Sequence, residues 1–149
     1  MSLKDRITED MKAAMRAKEA DRLGTIRMLL AAIKQREVDE RIVLDDNAVV
    51  AIVDKLIKQR RDSIAQFEQA GRTDLVERER NELAVLEAYL PAQLSDAEVA
   101  AEVGSAIAAT GAAGPQDMGK VMGVLKPRLA GRTDLSKVSA LVKSRLSGR

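Results

Sequence analysis

Apolar residues recur along this chain at intervals of three and four, the spacing that lines one face of an α-helix. Leu3, Ile7, Met11, Ala14 and Met15 mark a first helix within residues 2–19, and Ser2 with Asp5 forms an approximate capping box at its start. Leu23, Ile26, Leu30 and Ile33 mark a second over about 23–41. Val49, Val53, Leu56, Arg60, Ile64 and Phe67 share one stripe of a third, over about 47–70. At 1.5 Å per residue that helix spans about 35 Å, and Asp45 or Asp46 supplies the break before it.

The hexapeptide AGRTDL occurs at residues 70–75 and again at 130–135. A duplicated domain would carry its apolar phase into the flanks, but Ile64 and Phe67 before the first copy align with Val124 and Pro127 before the second. The hexapeptide therefore reads as one device used twice: Gly71 and Gly131 stop a helix at positive φ, and a following Thr or Asp restarts one. After the first copy, Thr73 or Asp74 is expected to cap a fourth helix, with Asp74 and Glu77 at capping-box spacing. Pro91 ends that helix at Leu90, and Ser95 with Glu98 opens the next. Helices to about 109, over about 116–129 and over about 134–146 follow. The expectation is an all-α chain: an N-terminal domain of about four helices over 1–90, a linker at 91–94 and a three-helix domain over 95–149.

The residue inventory is narrow. The chain has no Cys and no His, which removes thiolate nucleophiles, imidazole acid–base chemistry and most zinc and haem sites. We expect no catalytic residues, no metal and no cofactor. No apolar run approaches the roughly 20 residues of a membrane span, and the N-terminal stretch lacks the apolar centre of a secretory signal. This reads as a cytoplasmic protein without a membrane partner. Phe67 and Tyr89 are the only aromatic residues, too few for a base-stacking platform, so any nucleic acid must be held by charge and shape.

The formal net charge of +2 conceals a segregation. Residues 91–117 carry Asp96, Glu98, Glu102 and Asp117 and no Lys or Arg, whereas residues 118–149 carry Lys120, Lys126, Arg128, Arg132, Lys137, Lys143, Arg145 and Arg149 against Asp134 alone. Such a patch is either a solvated surface or the footprint of a phosphate backbone. Within it, Gly119 and Gly123 are four apart and share a helical face, which admits a close approach by another backbone. Pro127 removes the helical hydrogen bond to Gly123 and is expected to kink the helix. The glycines thus serve either that kink and tight packing or a ligand. Lys55, Lys58 and Arg61 form a second basic stretch, bracketed by Asp54 and Asp62. Glu77, Glu79 and Glu82 alternate with arginines and read as a surface ion-pair lattice.

The segments KQRRDSIAQFEQAGRTDL, LEAYLP, DMGKVMGVLKPRL and GRTDLSKVSALVKSRL resemble the YqeY-like family. The C-terminal part of that family is similar to the tail domain of the B subunit of the glutamine-dependent amidotransferase that matures mischarged tRNA. The resemblance implies an all-helical protein whose tail touches tRNA, and it points to Gly119, Lys120 and Met122, then to Gly131 and the basic positions Lys126, Arg128 and Arg132. Of these Met122 reads as core. Gly119, Lys120, Gly123, Lys126, Arg128, Arg132 and Lys137 are the candidate RNA-binding residues, with Lys55, Lys58 and Arg61 as a secondary surface. The expected function is a small tRNA-binding or amidotransferase-associated module. Two alternatives stand beside it: a part in carbon–nitrogen ligase activity with glutamine as amido-nitrogen donor, through amidotransferase subunits, or a protein-interaction module.

Overall fold

Ser2 and Asp5 close the first turn as a reciprocal capping box, the Ser2 hydroxyl accepting from the Asp5 N–H at 3.0 Å and the Asp5 carboxylate from the Ser2 N–H at 3.4 Å. From that start the computed structural model, which describes residues 1–148, runs through seven α-helices and no strand among the described residues. They are α1 (Leu3–Arg16), α2 (Ala20–Glu40), α3 (Asp46–Gln69), α4 (Thr73–Glu87), α5 (Asp96–Thr110), α6 (Met118–Leu129) and α7 (Leu135–Ser147), with a 3₁₀ turn at Pro115–Asp117. The fold is all-α. No described helix is long and apolar enough to cross a membrane. Two compact units divide the chain, Met1–Leu90 and a second beginning at Pro91.

In the first unit, α1 to α4 bury an aliphatic core in which Ile7, Ile26, Leu29, Val49, Val53, Ile57 and Leu86 have no exposed surface. Two polar ties hold its chain ends. Lys4 Nζ donates to the Glu37 carboxylate at 2.8 Å, and the same carboxylate accepts the Leu44 N–H at 2.9 Å. These bonds hold the Glu37 carboxyl below its ordinary pKa, and they join α1, α2 and the turn into α3. Tyr89, just past α4, is 4% exposed and donates its hydroxyl to Asp10 on α1 at 2.6 Å. Arg6 lies over the ring and donates to the Ala88 carbonyl.

The second unit buries Val103, Val121, Leu125, Leu129, Val138 and Val142 completely between α5, α6 and α7. Ser95 and Glu98 form the expected capping box. The segment expected as a linker is bonded into this unit: the Leu94 N–H donates to the Arg132 carbonyl at 2.9 Å, Gln93 to the Gly131 carbonyl at 2.6 Å, and Arg132 Nε to the Ala92 carbonyl at 3.3 Å.

The two hexapeptides share their stop and differ in their restart. Gly71 and Gly131 both take positive φ, 69° and 74°, a conformation that strains residues with a side chain. Asp134 then caps α7 by accepting the Ser136 N–H at 2.9 Å. Asp74 does not cap α4, which begins at Thr73 with no side-chain cap; instead Arg72 donates to both Asp74 carboxylate oxygens, at 3.2 and 3.1 Å. A bidentate, charge-assisted pair outcompetes a single backbone N–H for that carboxylate. The counterpart arginine, Arg132, is held by Ala92 and leaves Asp134 free to cap. Lys18 and Arg41 also take positive φ without being glycine, a feature the helical spacing does not announce.

Burial, reinforced by the hydrogen bond to Asp10, raises the Tyr89 pKa above its ordinary value. A phenol that holds its proton longer when folded contributes stability that is complete below the unfolded pKa of about 10 and is lost as pH rises above it. Denaturant unfolding across the alkaline range should show stability falling above about pH 10, with a shallower fall in Tyr89→Phe.

Candidate nucleic-acid interface

Val121, Met122, Leu125 and Leu129 turn one side of α6 into the core of the second unit. With 3.6 residues per turn, the side left outward carries Gly119, Lys120, Gly123, Lys126 and Pro127, all exposed. A Cβ placed on Gly119 or on Gly123 would meet nothing within 4 Å. The glycines therefore make no room for another part of this chain, and of the two readings open from the sequence, tight packing within the unit is excluded. Met122 is buried, as expected. The helix continues through Pro127 to Leu129. Proline has no N–H, so the Gly123 carbonyl four residues earlier loses its helical donor on this same outward side.

The basic residues divide into committed and free. Arg128 forms an ion pair with Glu102 on α5 at 2.9 Å. Arg132 donates to Ala92, and Arg145 donates to the Ala100 carbonyl at 3.2 Å, lying over Gly104, where a Cβ would come within 3.2 Å of the guanidinium. Lys120, Lys126, Lys137 and Lys143 are exposed and form no ion pair among the described residues. Arg149 lies outside the described residues. The inter-helix tie of Arg128 to Glu102 and the seat of Arg145 on Gly104 carry no signal in local spacing; the lone glycine in the Ala-rich α5 is the one visible trace. Asp117 stands at the N-terminus of α6 and accepts the Ala113 N–H at 2.9 Å, which holds its carboxyl below its ordinary pKa.

The secondary basic stretch on α3 offers less to a polyanion. Lys58 pairs with Asp54 at 3.5 Å and Arg61 with Glu87 at 3.6 Å, leaving Lys55 unpaired. Arg60 lies largely buried between Glu79 and Glu82, at 3.8 and 3.4 Å, and Arg80 pairs with Glu68. Glu79 and Glu82 thus serve an ion-pair link between α3 and α4. A groove of about 930 Å³ between α2 and α4 is lined by Asp21, Asp74, Glu77 and Glu82 against Arg22 and Arg78, a balance that repels phosphate.

A family model described as Yqey-like protein matches residues 4–146. The chain belongs to the YqeY-like family. Among relatives of this YqeY-like chain, a protein of Eremothecium gossypii is 45% identical over 87 residues, covering 58% of this chain and 48% of the relative. One of Lachancea thermotolerans is 45% identical over 101 residues, covering 65% and 54%, and one of Saccharomyces cerevisiae is 37% identical over 82, covering 54% and 44%. Each is named altered inheritance of mitochondria protein 41, mitochondrial. The chain spans about half the length of these curated relatives. Their names overturn the expectation of a cytoplasmic location. That expectation rested on missing apolar segments, which bear on crossing a membrane and not on the compartment a folded chain occupies.

An exposed glycine in a helix interior costs about 1 kcal/mol relative to alanine, and at Gly123 no packing offsets that cost. Gly123→Ala should raise the stability of this YqeY-like chain by about 0.5 to 1 kcal/mol, measured by urea unfolding. Gly71→Ala, at positive φ, should lower it.

Proposed function

We propose that this YqeY-like chain is a small helical RNA-binding module, with tRNA as its class of ligand, that binds through the outward side of α6 and supplies no self-contained catalytic site. The observation that carries the reading is the exposed side of α6, which the unencumbered Gly119 and Gly123 share with the unpaired Lys120 and Lys126. A phosphate backbone needs free cations and a surface it can approach, and this side of the unit offers both. The segregation of charge supports it: acidic residues precede residue 118 in this unit, and basic ones dominate after it. Lys137 adds a free cation on α7. Arg128 and Arg132 are secondary contacts, reached only by exchanging Glu102 or the Ala92 carbonyl for phosphate.

The test is fluorescence anisotropy of labelled bulk tRNA titrated with the full chain at several salt concentrations. Each phosphate contact contributes roughly 0.7 to 0.9 to the slope of log K against log salt. Lys120→Ala combined with Lys126→Ala should weaken binding at least about tenfold near physiological salt and flatten the slope by about 1 to 2. Unchanged affinity and slope would remove these residues from the interface. No tRNA binding by the unaltered chain would remove the RNA reading and leave α6 as a surface for a protein partner.

A further inference from the structure

The groove between α2 and α4 plays no part in the RNA reading, and its charge has the opposite sign. Two of its carboxylates are engaged within the chain, Asp74 by Arg72 and Glu82 by Arg60 and Arg78. Its two basic residues are engaged as well, Arg78 by Glu82 and Arg22 by Glu19 at 3.1 Å. Asp21 on the α2 wall and Glu77 on the α4 wall are exposed and form no ion pair among the described residues. The charge left to a ligand is therefore negative, and it stands on both walls.

Between the walls the lining is apolar and open. Met28 and Val85 line the groove and are half-buried, and a methionine there adapts to apolar partners of differing shape. Thr25 is 5% exposed and donates its hydroxyl to the Asp21 carbonyl at 3.2 Å, which satisfies its donor. Gly24 lies in the interior of α2, and a Cβ there would meet nothing within 4 Å. No packing within the chain requires that glycine, and its effect is to widen the groove by a side chain. The lining runs from Ala20 to Met28 on α2 and from Asp74 to Val85 on α4, about 12 and 16 Å of helix at 1.5 Å per residue. That length suits about two to three turns of a third helix, laid with its apolar face inward and its flanking residues on the rims.

We propose that the groove between α2 and α4 docks a short basic amphipathic helix of a partner protein. The apolar face of that helix rests on Met28, Val85 and the gap at Gly24, and its lysines or arginines reach Asp21 and Glu77. The same two carboxylates repel an acidic helix.

The probe is a fluorescein-labelled designed helix with leucine on one face and lysine on the other, titrated with the full chain and followed by anisotropy. A counterpart carries glutamate in place of lysine and should bind at least about tenfold more weakly. Gly24→Leu fills the groove with a better helix former, and it should retain the helical dichroism while weakening the lysine probe at least about tenfold. Asp21→Asn combined with Glu77→Gln should weaken the lysine probe about threefold to tenfold, the worth of two exposed ion pairs. Asp62→Asn combined with Asp96→Asn removes the same charge from two exposed carboxylates outside the groove and should leave the affinity unchanged. A Gly24→Leu chain that binds like the unaltered one would overturn the inference, as would equal binding of the glutamate probe or equal losses from the two pairs of substitutions. So would failure of the unaltered chain to bind the lysine probe at all.

Discussion

The burial of Val121, Met122, Leu125 and Leu129 against α5 and α7 fixes the rotation of α6 about its own axis, and the surface character of the second unit depends on that rotation. Four aliphatic side chains on one side of a twelve-residue helix leave the other side no freedom to turn inward. The order glycine, lysine, glycine, lysine, proline then faces solvent as a consequence of apolar burial, which is non-directional and large enough to override the modest helix propensity of this segment. A helix with two glycines and a proline among its twelve residues is poor by propensity and stands because its neighbours hold it.

The first unit solves a different problem. Its core is also aliphatic, but its ends are tied by polar groups of low exposure: Glu37 to Lys4 and Leu44, and Tyr89 to Asp10. Its surface charges are spent largely on one another, as in the pairs that join α3 to α4. Two units of similar helical make-up thus distribute charge differently: acidic and basic residues interleave along the first, whereas basic residues collect after residue 118 in the second.

Much of the fold was legible because its determinants are local. Ser2 with Asp5, Ser95 with Glu98, the stop at Gly71 and the stop at Gly131 are written within four residues and act within four residues. Asp74 was misread because a partner two residues away, Arg72, competes for the same carboxylate, and spacing alone does not rank the competitors. The left-handed residues Lys18 and Arg41 escaped notice because neither is a residue type that favours that conformation. For the candidate site, the sequence located the basic stretch but could not separate Arg128, Arg132 and Arg145 from the free lysines. Their partners at Glu102, Ala92 and Ala100 lie 26 to 45 residues away along the chain, and such pairings exist only once α5, α6 and α7 have packed.

The placement of the aromatic residues carries a practical consequence. Tyr89 is the single tyrosine, there is no tryptophan, and the second unit has no aromatic side chain. Intrinsic ultraviolet emission from this chain therefore reports on the first unit alone, from a phenol hydrogen-bonded to Asp10. The second unit is optically silent against the strong absorbance of nucleic acid, while far-ultraviolet dichroism sees the helices of both. Comparing the two signals during unfolding would reveal whether the units melt together or apart, with no label attached to either.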